Sequence, residues 1–71
     1  DLSVLRYLDL SDNRIFSVSR KIGELSQVEY IDLSNNKIRL LPKEINKLAS
    51  LREINLQRNS FSGFQKKNVK N

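Results

Sequence analysis

The chain has 71 residues and a formal net charge of +5, so it can form at most one small domain with a modest core. It contains no cysteine, histidine, methionine or tryptophan, which excludes disulfide bonds, thiolate or imidazole metal sites and Cys or His nucleophiles within this segment. No apolar run approaches the roughly 18 residues of a membrane span, and no signal-peptide pattern opens the sequence.

An internal repeat dominates the sequence. Three segments align without a gap, and they begin at Leu5, Val28 and Leu51, which are 23 residues apart. Two further aliphatic columns and one asparagine column run through all three segments: Leu8/Ile31/Ile54, Leu10/Leu33/Leu56 and Asn13/Asn36/Asn59. Agreement in several columns at once is the signature of a repeat architecture, in which each unit buries its apolar face against its neighbours.

Each repeat begins with a predicted strand. Apolar residues alternate with polar ones at the period of two that a half-buried strand requires, which predicts short parallel strands at residues 6–10, 29–33 and 52–56. The aliphatic residues of the second and third columns should face the core. Leu2 falls in the column of Leu25 and Leu48, so we expect that a preceding repeat ended there and that this end of the stack is open.

The second half of each repeat should contain a short helical turn. Pro42 disfavours helix at Leu41, and the spacing of Ile45 and Leu48 suits one helical or 3₁₀ turn after it. The first repeat has Ser19 in the place of Pro42.

These residues resemble the pattern of leucine-rich repeats, L-x-x-L-x-L-x-x-N-x-L. The segment at residues 41–48 is similar to the L-P-x-x-I-x-x-L hallmark of the 23-residue typical class. Its amino-acid sequence also resembles repeats of bacterial proteins and of Ras-group scaffolds. The resemblance implies an α/β fold, a right-handed solenoid with short parallel strands on the concave face and 3₁₀ or helical turns on the convex face. It also implies that Asn13, Asn36 and Asn59 form a structural ladder that satisfies turn backbone groups, while Asn35 is expected to be an ordinary surface residue.

The repeat pattern fades after Phe61 and Phe64, because Asn68 stands where an aliphatic residue is expected. We therefore assign residues 1–64 to the repeat segment and residues 65–71 to a basic tail. The tail carries Lys66, Lys67 and Lys70 without interleaved aromatic residues, so we interpret it as a solvated end and predict no specific nucleic-acid binding.

The outward strand positions are the candidate binding site. They form two columns across the three strands, Tyr7/Tyr30/Glu53 and Asp9/Asp32/Asn55. Adjacent strands lie about 4.8 Å apart, so Tyr7 can stack near Tyr30. Asp9 stands beside Asp32, and like charges side by side are unfavourable.

Two interpretations of these columns remain open. In the first, the columns form a solvated ladder whose repulsion is relieved by Arg6, Arg52 or Arg58. In the second, they form an acidic, tyrosine-bearing patch that binds a basic partner, for which tyrosine is a favoured contact residue. Phe16 and Leu40 fall outside the core columns and should be exposed.

The leading prediction is a protein–protein interaction module that presents the concave sheet to a protein or peptide. The alternative is a structural spacer, or a recognition segment of a longer protein whose enzymatic domain lies outside this chain. We predict no catalytic residue, because an open face provides no water-excluding pocket, and neither a metal site nor a cofactor. Self-association through open solenoid ends is expected, and the sequence does not indicate a compartment.

Overall fold

The computed structural model describes residues 4–61 of the chain. In chain order it contains β1 (Tyr7–Asp9), a first 3₁₀ turn (Arg20–Glu24), β2 (Tyr30–Asp32), a second 3₁₀ turn (Lys43–Lys47) and β3 (Glu53–Asn55). The two ends named above, Leu2 and the segment from 62 to the basic tail, lie outside these residues.

The three strands form one parallel sheet in the order β1-β2-β3. The register is the one that the repeat predicts, with Leu8 opposite Ile31 and Ile31 opposite Ile54. Each strand is three residues long, shorter than the predicted five, but backbone hydrogen bonds continue the pairing on both sides. The Leu10 N–H donates to the Asp32 carbonyl at 2.8 Å, and the Glu29 N–H donates to the Arg6 carbonyl at 2.8 Å.

The predicted helical turns are both 3₁₀, and they begin at equivalent backbone positions. Ser19 has φ −60° and ψ 144°, and Pro42 has φ −69° and ψ 149°. Ser19 reaches the same geometry without proline because its hydroxyl accepts the Lys21 N–H at 3.1 Å, which caps the turn. Proline in the second repeat has no side-chain cap and fixes φ covalently instead.

The core lies between the sheet and the turns. Its buried members come from all three repeats: Ile22, Leu25, Val28, Ile31, Leu33, Ile38, Leu48, Ile54 and Leu56. Leu8 and Leu10 were expected to be inside, yet they are only half-buried and pack against the margin of this core. Within the described residues the first repeat has a neighbour on one side only, which explains the difference.

Candidate functional site

The two outward columns lie on one face of the sheet. Because side chains alternate along a strand, the face opposite the Leu8, Ile31 and Ile54 column carries six polar or aromatic residues. We call it the tyrosine face, and it consists of Tyr7, Asp9, Tyr30, Asp32, Glu53 and Asn55.

Tyr7 and Tyr30 are directly opposite in the register and their rings stack, with centroids 4.7 Å apart and an interplanar angle of 28°. Tyr7 remains 59% exposed and Tyr30 is half-buried. Burial raises the pKa of Tyr30, and so do the nearby Asp32, Tyr7 and Glu53, in that order, against a smaller opposing effect of hydrogen bonding with Asn55. The stack is therefore a partly exposed aromatic surface beside negatively charged side chains.

The carboxylates of Asp9 and Asp32 are oriented in the same way by the serine two residues later. Oδ1 of Asp9 accepts the Ser11 N–H at 3.0 Å and the Ser11 hydroxyl at 2.6 Å. Oδ1 of Asp32 accepts the equivalent pair from Ser34, at 3.0 and 2.6 Å. The hydroxyl and then the N–H of Ser11 lower the pKa of Asp9, because both donate to its charged form.

The third repeat keeps this arrangement with an amide. Oδ1 of Asn55 accepts the Gln57 N–H at 3.1 Å. An uncharged side chain thus makes the same turn, so the negative charge of Asp9 and Asp32 is not needed to form it.

The arginines that the solvated-ladder interpretation placed near Asp9 and Asp32 make other contacts. Arg6 and Arg52 both approach Glu29, with N–O distances of 3.5 and 4.0 Å. Arg58 donates from Nε to Oδ1 of Asn35 at 2.7 Å. The reason is position, because Arg6, Glu29 and Arg52 occupy one column, while Asp9 and Asp32 already have serine donors.

The asparagine column forms hydrogen bonds within and between repeats. Asn36 is 4% exposed, and its Nδ2 donates to the carbonyls of Leu33 and Leu10, both at 3.0 Å. Its Oδ1 accepts the Ile15 N–H at 3.1 Å. Asn59 repeats the pattern one unit later, donating to the Leu33 carbonyl at 2.8 Å and accepting the Ile38 N–H at 3.0 Å.

Asn13 differs from the other two members of the column. It is exposed, and among residues 4–61 its amide donates only within its own repeat, to the carbonyls of Leu10 and Ser11 at 3.0 and 3.2 Å. The partners of the asparagine column found among the described residues are all backbone groups.

This combination of a 23-residue period, stacked parallel strands and asparagines bonded to backbone agrees with the comparisons. A family model described as a leucine rich repeat matches residues 3–61. The chain belongs to the leucine-rich-repeat family.

A solved leucine-rich-repeat protein from Leptospira interrogans is similar in structure, with a TM-score of 0.77 and 29% sequence identity. The match covers 90% of this chain and 22% of that one, so the chain spans a minor part of the length of this neighbour. A comparison with curated proteins gave no match.

One feature of this leucine-rich-repeat chain was missed by sequence reasoning. Asp12, Asn35 and Arg58 share a column and adopt positive φ angles of 58°, 58° and 56°. Asn35 is therefore not an ordinary surface residue, because few side chains other than Asn and Asp tolerate this conformation. The Asp and Asn in the first two repeats were a usable signal, which Arg58 concealed in the third.

The two apolar residues outside the core columns are exposed, as expected. Phe16 is 70% exposed and Leu40 is 65% exposed. Leu40 forms an isolated parallel bridge with Ser17, so these residues lie on the segments that lead to the turns and away from the tyrosine face.

Within residues 4–61, no group of three or more carboxylate side chains is arranged to hold a metal ion. None of the helices in the same range is long and apolar enough to cross a membrane.

Proposed function

We propose that this leucine-rich-repeat segment binds a protein or peptide through the tyrosine face. Modules of this family are in general protein-interaction modules rather than enzymes. The single observation that supports the proposal is the stacked pair of Tyr7 and Tyr30 on the tyrosine face, with Tyr7 exposed and Tyr30 half-buried. A partner could contact both rings without displacing any residue of the core.

The repeats of this segment should stack into a curved solenoid. Parallel strands joined by crossovers are almost always right-handed, so we propose a right-handed solenoid with the sheet on its concave side and the 3₁₀ turns on its convex side. A partner that enters the concave side meets the tyrosine face first.

Tyrosine suits this purpose for a physical reason. Its ring contributes a large contact area at a small cost in conformational entropy, and its hydroxyl keeps a hydrogen-bonding group at the edge of the contact. Stacking restricts both rings in the free protein, which reduces the conformational entropy that binding costs.

Site-specific photo-crosslinking tests the proposal. The codon of Tyr30 is replaced by one for p-benzoylphenylalanine, a photoreactive residue of similar shape, in the full protein in its native host. The matched control places the same residue at Lys47, in the second 3₁₀ turn. We expect a defined protein adduct from position 30 and none from position 47.

The opposite pattern, with adducts from position 47 only, would assign binding to the turns. Adducts from neither position would favour the structural-spacer alternative.

A further inference from the structure

We infer that the tyrosine face receives an arginine side chain from a basic, extended segment of the partner. In this arrangement the guanidinium binds between Asp9 and Asp32, and the aliphatic part of the side chain lies along the rings of Tyr7 and Tyr30. The inference rests on the proposed function and adds the chemistry of the partner.

The first support is the pair of carboxylates. Asp9 and Asp32 are directly opposite in the parallel register, so their strands are about 4.8 Å apart. Each uses Oδ1 to accept from serine, and neither Oδ2 accepts a hydrogen bond from any residue between 4 and 61. Two acceptor atoms therefore remain side by side, and a planar guanidinium with five donors suits such a pair.

The second support is the distribution of charge. Both ion pairs found among the described residues involve Glu29, which lies between Arg6 and Arg52. Asp9, Asp32 and Glu53 form no ion pair in that part of the chain. The carboxylates of the face are thus free of ion pairs within residues 4–61, and the neighbouring row of the sheet carries Arg6 and Arg52. Arginines beside the face favour a single inserted cationic side chain over a broad basic surface.

The third support is the aromatic surface beside the carboxylates. Tyr7 and Tyr30 precede Asp9 and Asp32 by two residues, on the same side of the sheet, and Tyr7 is 59% exposed. Long cationic side chains bury their methylene groups on such rings while the charged end stays polar.

The geometry also indicates the spacing of the partner's basic residues. A peptide that crosses three strands spans about 10 Å, which is roughly three extended residues. Asn55 lies opposite Asp32 and Glu53 lies opposite Tyr30 in the register. On a diagonal path from the Asp9 and Asp32 pair to β3, the long side chain of a basic residue two positions along the peptide would therefore come close to Glu53.

The test uses the 71-residue chain and a probe peptide of seven residues that contains two arginines separated by one residue. A second peptide has citrulline at both places, which keeps the size and removes the charge. Binding is followed by two-dimensional NMR of the ¹⁵N-labelled protein. We expect the arginine peptide to shift the amide signals of β1 and β2, and the citrulline peptide to shift none.

The matched variants are Asp32→Asn and Glu24→Gln. Asn55 already occupies the position equivalent to Asp32 and makes the same turn, so Asp32→Asn should fold normally. It should weaken binding of the arginine peptide by about fivefold or more. Glu24→Gln removes the same charge from an exposed position in the first 3₁₀ turn and should leave binding unchanged.

Equal binding of the two peptides, equal effects of the two variants, or no binding of the arginine peptide would each overturn the inference. The proposed function is judged separately, through the Tyr30 crosslink. If a partner is captured there and its affinity is unaffected by Asp32→Asn, the proposed function stands and the inferred arginine contact is wrong.

Discussion

At the scale of single residues, asparagines at equivalent positions of the repeat make different hydrogen bonds because their neighbours differ. Asn36 is buried and bonds to backbone groups of two repeats, whereas Asn13 is exposed and bonds within its own repeat. The repeat pattern predicted the column but not this difference, because burial depends on whether another repeat lies on each side.

Alanine substitutions should separate these two asparagines. Asn36→Ala leaves buried backbone groups of two repeats without partners, so we expect it to lower the free energy of unfolding by about 1–3 kcal/mol. Asn13→Ala should cost roughly half as much or less, since its carbonyl partners are accessible to water. Urea unfolding followed by circular dichroism measures both, and equal costs would count against the inter-repeat hydrogen bonds.

The hydroxyl of Ser11 should control the pKa of Asp9, one carboxylate of the tyrosine face. Two donors of Ser11 lower the pKa of Asp9, and the hydroxyl has the larger effect. Because Ser11→Ala removes the hydroxyl, we expect the pKa of Asp9 to rise toward its ordinary value. A ¹³C NMR titration of the side-chain carboxylates measures it. Ser50→Ala, at an exposed position in another turn, is the control and should leave the Asp9 pKa where it is.

The sign of the associated pH effect follows from the direction of this shift. Because folding lowers the pKa of Asp9, its carboxylate stabilises the fold above the unfolded-state pKa. That contribution is lost as pH falls through the folded-state pKa, and Ser11→Ala should reduce the acid sensitivity that Asp9 causes. An unchanged acid-unfolding curve in the variant would contradict this link.

At the scale of elements, the strands could be predicted because side-chain alternation and the aliphatic columns fix both register and face. The turns could be placed from Pro42 and the spacing of Ile45 and Leu48. The sequence did not predict which residues contact Arg6, Arg52 and Arg58. A flexible side chain has several partners within reach, and sequence spacing does not determine which of them it contacts. The Asp-x-Ser spacing at Asp9 and Asp32 is present in the sequence. Only the structure shows that each serine donates two hydrogen bonds to Oδ1 and so orients the carboxylate.

The packing of the two 3₁₀ turns depends on a residue that has no side chain. A Cβ added at Gly23 would lie 3.0 Å from the Glu44 carbonyl oxygen and 3.1 Å from the Glu44 Cβ. Gly23→Ala should therefore destabilise the chain by about 1–2 kcal/mol through overpacking. Thermal unfolding measures the effect.

The control for Gly23 is the residue one repeat later, Asn46. It is exposed and already carries a Cβ in the equivalent position of the second turn. Asn46→Ala should change the free energy of unfolding by less than about 0.5 kcal/mol. A Gly23→Ala variant as stable as Asn46→Ala would mean that the turns separate easily.

At the scale of the whole molecule, burial is greatest in the second repeat. Val28, Ile31 and Leu33 are fully buried, whereas their first-repeat equivalents, including Leu8 and Leu10, are half-buried. This is the behaviour expected of a stack whose units stabilise their neighbours. The repeat pattern predicted which residues face inward, but the degree of burial follows from the number of neighbouring repeats.

Self-association of the 71-residue chain is expected for the same reason. Each outer strand, β1 and β3, pairs on one side only within residues 4–61, and such edges offer backbone groups to another chain. A contact of about −6 kcal/mol has a dissociation constant of tens of micromolar. Sedimentation equilibrium up to about 200 μM should detect it, and a single monomeric species throughout would contradict it.

The measurement that tests the central claim most directly is the affinity of the partner captured through Tyr30 for four forms of the chain. Tyr30→Ala should weaken binding by about thirtyfold, as a central aromatic contact does, and Asp32→Asn should mainly slow association and reduce its salt dependence. Lys47→Ala and a chain without residues 66–71 should bind as the parent does. If binding survives the Tyr30 and Asp32 changes but is lost with Lys47→Ala or with removal of residues 66–71, the tyrosine face is not the interaction surface.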